Sequence, residues 1–402
     1  MSISKVFYAL INNKSVVFEK VEFKDDHVVF RGHLKEGLKR CPCCNSSNIW
    51  IKETKERTFR MLSLGHNRTY LKLDTYKVNC QKCKSIGWIK LPFTCGKLPM
   101  TTSFISYIVQ LMVMTTLLSV ARFLGLQWRT VKNIDKANLS KHSKQFSFKK
   151  LRYISIDEIA IKKGHRYMTI FTDITTGQII HAVEGRSEEC LRPFLKQLSK
   201  KAKRLRGIGI DMSAAYSSSV KKHLPTIAII FDRFHVSKLL NNTIDKIRRA
   251  EYEKYRNKGV NVSKGQRFLL LRNFVDLDDG QKSSLKNLLE INESLLIAHS
   301  MKEQFRLFWG QKSKQQGARF LGWWIIQALS SGVEQLAKTA RTLIHYCQGL
   351  LSYFDHKIDN GKAEGINNKI KVLKRSAYGF HDQDYFKLKL YHLHKKQNEL
   401  VG

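Results

Sequence analysis

Acidic residues are scarce in this chain. Among 402 residues, Asp and Glu number 33 against 71 Lys and Arg, a formal net charge of +38 at pH 7. That imbalance excludes an ordinary soluble enzyme acting on small molecules. It calls for a polyanionic partner held through its phosphates, with affinity that falls steeply as salt rises. A long apolar run is also missing. The most apolar stretch, residues 104–120, contains Ser, Thr and Gln and is marginal in length for a membrane span, so a buried helix is expected there. Residues 1–14 lack the apolar core and small-residue cleavage site of an export signal, and no basic amphipathic tail suggests a membrane-surface protein. A cytoplasmic protein with reduced thiols is therefore expected, which excludes a disulfide framework and makes any cysteine cluster a metal site.

Eight cysteines are present, and four form two tight knuckles: Cys41 with Cys44, and Cys80 with Cys83. The spacer reads as strands at 57–61 and 70–73. Paired knuckles of this spacing fit a structural zinc ribbon, because Zn²⁺ takes four thiolates and then has no open position for catalysis. Cys43 is a competing ligand. Cys95, Cys190 and Cys347 are isolated and read as buried packing residues.

Residues 103–137 read as helical. Ser119–Ile134 has the layout of a helix-turn-helix, with small Ala121 at the helix crossing, Gly125 in the turn, and Val131 and Ile134 facing inward. Gln127, Trp128, Arg129 and Lys132 then face a DNA groove. Residues 138–152 read as a basic linker.

Three acids carry most of the chemistry. Asp157 lies in the alternating run Tyr153-Ile154-Ser155-Ile156-Asp157, Asp211 closes Gly207-Ile208-Gly209-Ile210-Asp211, and Glu364 sits in a polar, helix-like stretch. Strands are expected at 152–158, 166–173, 178–184, 207–211 and 226–232, and helices at 188–203, 213–223 and 233–250. Three strands joined by short turns should be antiparallel, and the two reached through helices should add in parallel. That is the order of an α/β ribonuclease-H-like fold, in which Asp157 and Asp211 are neighbours and a helical block at 241–355 interrupts the domain before Glu364. Such carboxylates suit a pair of Mg²⁺ or Mn²⁺ ions acting on a phosphodiester. Asp232 competes with Asp211 as the second ligand; fold order favours Asp211, because Asp232 follows the fifth strand. Glu158 should point to the face opposite Asp157, and His165 and His235 read as hydrogen-bonded structural histidines. Asn367, Lys371, Lys374 and Arg375 are candidates for holding the DNA strand. Gly361 and Gly365 each cost about 1 kcal/mol in a helix, which suggests close approach of a backbone or substrate.

Six ordered motifs resemble insertion-sequence transposases of the ISL-three group, over about residue 38 to the end. They are Cys41-Pro42-Cys43-Cys44 with Cys80 and Cys83; Ile156-Asp157-Glu158; Lys163-Gly164-His165-Arg166-Tyr167; Asp211-Met212-Ser213-Ala214-Ala215-Tyr216; Phe231-Asp232-Arg233-Phe234-His235-Val236; and Asn360 to Lys371. The resemblance implies a DDE recombinase of the bacterial cytoplasm and nucleoid. It would bind the terminal inverted repeats of its element in double-stranded DNA, as a homodimer, and move the element by cleavage and strand transfer. The organisation expected is an N-terminal segment (1–37), a β-rich zinc ribbon (38–98), an α-helical helix-turn-helix (99–140), the first part of the catalytic domain (141–240), the helical insertion (241–355) and the last part of the catalytic domain (356–402). Two rivals are a catalytically inactive DNA-binding regulator and a ribonuclease-H-like nuclease. Metal-dependent nicking excludes the first, and strand transfer excludes the second.

Overall fold

Alternation of apolar and polar side chains over the first part of Arg68–Cys80 buries Thr69, Leu71, Leu73 and Thr75 on one face. This strand is the spine of the first unit of the computed structural model, which describes residues 2–142, 146–162, 166–257, 267–358 and 361–393. The chain divides into two units, Met1–His142 and Ser143–Gly402. In the first, a helix α1 (Ile3–Ile11) precedes the strands β1 (Val16–Phe23), β2 (His27–Leu34), β3 (Ile49–Arg60), β4 (Arg68–Cys80) and β5 (Ile86–Trp88). They form one sheet in the order β1-β2-β4-β3, with β5 on β4. The N-terminal segment holds the β1–β2 pair and helix α1, which was not anticipated; Phe7 and Ile11 of α1 are fully buried in one cluster with Val16, Phe30 and Phe59. The two short spacer strands expected are segments of the much longer β3–β4 hairpin.

Three helices complete this unit: α2 (Thr102–Met114), α3 (Leu117–Leu124) and α4 (Trp128–His142). The expected single apolar helix is broken at Thr115–Thr116, where the Thr116 hydroxyl accepts the Ser119 N–H at 3.2 Å and starts a new helix. No helix among the described residues is long and apolar enough to cross a membrane. Helix α4 runs through Asn138 to His142, so the first part of the expected linker is helical; residues 143–145 lie outside the described residues.

In the second unit, β6 (Tyr153–Lys162), β7 (Arg166–Asp173) and β8 (Ile179–Glu184) form an antiparallel meander. Beyond β6, β9 (Gly207–Ile210) and then β10 (Ala228–Phe231) add in parallel, giving the order β10-β9-β6-β7-β8. The connecting helices are α5 (Glu188–Lys201), α6 (Ala214–His223) and α7 (Arg233–Asn257). Helix α7 passes unbroken through residue 241, where the helical block was expected to begin. The block continues as α8 (Arg267–Leu271), α9 (Asp279–Ile291), α10 (Glu293–Phe305), α11 (Lys314–Ser330), α12 (Glu334–His345) and α13 (Cys347–His356), before α14 (Gly361–Ser376) and α15 (Gln383–Tyr391). Most of its aromatics are core, with Phe305, Phe308 and Trp324 buried together, whereas Trp323 is exposed.

Helix α13 comes home to the sheet through Gly349. A Cβ there would lie 2.2 Å from the Phe231 ring at the end of β10. Gly349→Ala should therefore lower stability by about 1–3 kcal/mol, read as a drop in the denaturant midpoint. A second expected outcome concerns pH. Burial first, and the Lys302 charge second, push His299 down from 6.5 to about 4, and its Nε2 has no hydrogen-bond partner. Between those values the unfolded chain binds the proton that the folded chain refuses, so stability rises with pH across the window and is lost on acidification. From pH 7 to 5 the loss from this residue is roughly 2 kcal/mol. Urea titrations at both pH values should show a smaller difference in His299→Leu than in the parent chain; equal differences would contradict the assignment.

Candidate active site and metal centre

The thiols of Cys41, Cys44, Cys80 and Cys83 all lie within 4.8 Å of one another. Cys41 and Cys83 sulfurs are 3.6 Å apart, and those of Cys44 and Cys80 are 3.5 Å apart. A tetrahedron of Zn–S bonds of ~2.3 Å needs sulfurs about 3.8 Å apart, so the donor set fits zinc. The two knuckles fold alike, with the Asn45 N–H donating to the Cys41 carbonyl and the Lys84 N–H to the Cys80 carbonyl; the Cys43 N–H also donates to Cys41 Sγ and the Cys83 N–H to Cys80 Sγ. Cys43 thus contributes its backbone, and its exposed thiol stands outside the cluster. The Ser85 hydroxyl, followed by backbone N–H groups, pulls the Cys41 thiol down to about 6. Cys44 is pushed up to about 12; the Ser46 N–H opposes this, but burial and the neighbouring thiols outweigh it. One thiolate therefore suppresses the next unless a cation neutralises them. Cys95 is exposed and Cys190 and Cys347 are half-buried, which corrects the reading of all three as buried.

Helices α3 and α4 meet at the turn Gly125-Leu126-Gln127. Gly125 has φ +65°, and the Leu126 N–H closes back on the Ala121 carbonyl at 2.8 Å, a left-handed helix stop that glycine adopts without strain. Ala121, Val131 and Ile134 are buried between the helices. Gln127, Trp128 and Arg129 are exposed, Lys132 is half-buried, and the Arg129 guanidinium lies over the Trp128 ring.

The carboxylates assemble through strand register. β6 and β9 pair in parallel from Tyr153/Gly207 to Ser155/Gly209, and two residues further along these strands stand Asp157 and Asp211. Ile154, Ile156, Ile208 and Ile210 face the large core on one side. Ile159 and Ile161, on the Asp157 face of β6, pack against Ile366 and Ile370 of α14. Helix α14 therefore crosses the sheet over Asp157. Asn367 donates its side-chain amide to Asp157 Oδ2, and the Glu158 N–H donates to Oδ1 at 2.7 Å. Burial raises the Asp157 carboxyl above its ordinary range and the Asp211 charge raises it further, against the Glu158 N–H, His235 and Asn367.

His235 Nε2 lies 2.7 Å from Asp211 Oδ1. Burial alone would lower its imidazole, but the Asp211 bond and the charges of Asp211, Asp232 and Asp157 hold it above the usual value. Asp232 follows β10, one strand beyond Asp211, and accepts the Phe234 N–H at 2.9 Å at the start of α7. Glu158 turns to the other face, beside the Tyr216 hydroxyl at 3.4 Å and Arg186 at 3.6 Å. Asp173 holds the β7–β8 turn through Thr175 and Thr176.

Glu364 is exposed on the first turn of α14, one turn before Asn367. Among the described residues, it forms no three-ligand group with Asp157 and Asp211 in which every donor lies within 4.8 Å. A Cβ on Gly365 would meet open space, so no protein backbone accounts for that glycine. Of the residues read as strand-holding, Lys374 donates to the Ala160 carbonyl and Asn367 is engaged by Asp157, while Lys371 and Arg375 are exposed. The Asn367 and His235 contacts were missed in the sequence; both residues stand in the motifs quoted above, and that was the available signal. His165, with Lys163 and Gly164, lies outside the described residues, as does Asn360.

A family profile described as a transposase, that of the DDE-type ISL3 group, matches residues 154–390. The chain belongs to the ISL3 transposase family. As such it is a DDE transposase, an enzyme of the DNA endonuclease and strand-transferase class. A second profile, the zinc finger of the IS204/IS1001/IS1096/IS1165 transposases, matches residues 38–83, the span of the thiol cluster. The transposase for insertion sequence element IS1001 of Bordetella parapertussis is 33% identical over 354 residues, covering 87% of each chain. The transposase for IS1557 of Mycobacterium tuberculosis is 25% identical over 410 residues, covering 94% of this chain and 92% of the relative. A Drosophila P element transposase strand transfer complex aligns with a TM-score of 0.37 and 10% identity, over 73% of this chain and 91% of the other.

Proposed function

We propose that this ISL3 transposase binds the terminal inverted repeats of its insertion sequence and cuts and rejoins DNA at a ribonuclease-H-like site built from Asp157, Asp211 and Glu364. The observation that carries the reading is the pairing of β6 with β9 beneath α14, which draws Asp157, Asp211 and Asn367 together. The oxygen-only donor set suits Mg²⁺ or Mn²⁺. When bound, a pair of such ions supplies activation of water and stabilisation of the leaving 3′ oxygen. Asn367 orients Asp157, His235 holds Asp211, and exposed Lys371 and Arg375 grip phosphates. Glu364, on the same helix as Asn367 and one turn before it, would be the third carboxylate to hold such ions. The four thiols hold a structural Zn²⁺, and α3–α4 act as a helix-turn-helix that lays Gln127, Trp128, Arg129 and Lys132 against a DNA groove. The protein works on the bacterial chromosome in the cytoplasm, as a homodimer joining two ends.

The test is a labelled duplex carrying the ends that flank the gene, incubated with Mg²⁺ or EDTA. The expected result is 3′-end cleavage in Mg²⁺ alone, followed by joining to a target duplex. Binding without cleavage under every condition would leave only a regulator, and cleavage without joining would leave a nuclease. Cleavage that survives in Asp211→Ala and dies in Asp232→Ala would move the second ligand.

A further inference from the structure

A second site lies on the far side of the catalytic sheet. Its register partner Phe171 puts His181 on the face opposite Asp157, towards the large core. There a cavity of about 520 Å³ opens between α5, β8 and the segment that precedes β6. Its walls include Phe146, Phe148, His181 and Phe194. The His181 and Phe194 rings are stacked, 4.1 Å apart and 8° from parallel. Burial keeps the imidazole near 4, hence neutral, so it offers a π-face without charge. Gln197 adds an amide that donates and accepts, and Lys149 and Lys201 stand at the rim.

The surrounding surface is strongly basic. Lys149, Lys150 and Arg152 precede β6, while Lys200, Arg204 and Arg206 close α5 and lead to β9; all six are exposed. No acid occurs from Phe146 to Ile156 or from Cys190 to Ile210. Among the described residues none of these six cations has an ion-pair partner. Like charges so crowded repel one another, and a strand of phosphates relieves that repulsion. Arg152 and Arg206 also stand just before the two parallel strands β6 and β9, with Asp157 midway along the first and Asp211 just past the second, so this surface is separate from the carboxylate site.

We propose that this surface is a second DNA-binding site of the catalytic unit, one that tracks a single strand and takes an unstacked nucleobase into the aromatic cavity. The cavity volume falls in the ~300–1,000 Å³ range of small-ligand sites, aromatic walls stack on any base, and flanking cations follow the backbone. A duplex keeps its bases stacked inside and cannot fill the cavity. That the polyanion is DNA rests on the function proposed above.

The test uses the full chain and a single-stranded oligonucleotide carrying 5-iododeoxyuridine, photo-crosslinked and mapped by mass spectrometry. Adducts are expected at Phe146, Phe148 or His181. Phe148→Ala should cut their yield about tenfold, the scale of one lost base stack. The Lys149→Glu/Lys201→Glu pair, both exposed, should cut it at least as much without disturbing the core. Adducts found only elsewhere, or yields unchanged in both variants, would overturn the proposal. So would displacement by micromolar dTMP, which would make the site one for free nucleotides. End cleavage by the unaltered chain is scored alongside. Missing pocket adducts with ends still cut overturn the pocket alone, whereas pocket adducts without any cleavage support the pocket and overturn the functional reading.

Discussion

Asp157→Asn should abolish metal-dependent end cleavage while leaving end binding within about twofold. The two halves of that result have separate causes. A carboxylate that holds catalytic cations supplies several kcal/mol of charge stabilisation in the transition state, roughly 10³-fold in rate or more. DNA affinity, by contrast, comes from a +38 chain gripping many phosphates, to which one carboxylate contributes almost nothing. The amide is close in shape to the carboxylate and removes the repulsion with Asp211 that, after burial, raises the Asp157 carboxyl. The variant should therefore be no less stable than the parent. Gel shifts at fixed salt and single-turnover cleavage, run on the same preparation, check both halves. Equal loss of binding and cleavage would remove Asp157 from the catalytic site.

Stripping zinc should unfold the knuckles, and Cys80→Ser should do so permanently. Cys80 is fully buried beneath the sheet, at the last position of β4 and opposite Ile49 of β3. Losing one thiolate of four removes much of an apparent ~10–16 kcal/mol of metal-binding energy measured for small zinc domains. The parent chain should carry one zinc per chain by elemental analysis, lose it to a strong chelator, and expose the β3–β4 ends to protease. Cys43→Ser should keep its zinc, because only its backbone N–H faces the cluster. Retention of zinc by Cys80→Ser, or its loss from Cys43→Ser, would redraw the ligand set.

Local chemistry was legible in the sequence. The cysteine knuckles name themselves by spacing, and the five strands of the second unit were visible because runs such as Gly207–Ile210 are short, apolar and bounded by turns. Their directions followed from connection lengths, and the expectation that the Asp157 and Asp211 strands are neighbours came from fold analogy. Side-chain partnerships were not legible. Asn367 reads as a polar residue on an exposed helix face, and only tertiary packing of Ile366 and Ile370 beneath it turns it towards Asp157. His235 was read as an ordinary structural histidine, since its distance from Asp211 depends on β9 and β10 pairing. Helix α1 escaped notice because nine residues give too few turns to separate a helical period from a strand. The break between α2 and α3 rests on one threonine hydroxyl, which a hydropathy reading passes over.

The order of the chain has a consequence in time. β6, β9 and β10 are complete when Phe231 has been made, but α14, with the glutamate proposed as third ligand, arrives only after α8 to α13 have been synthesised. At ~5–20 residues per second, roughly ten seconds separate the two. On the proposed ligand set, a nascent chain thus stays unarmed until the whole helical block has been made. By the same ligand set, a message broken anywhere in the helical block should yield a product that cannot cut DNA.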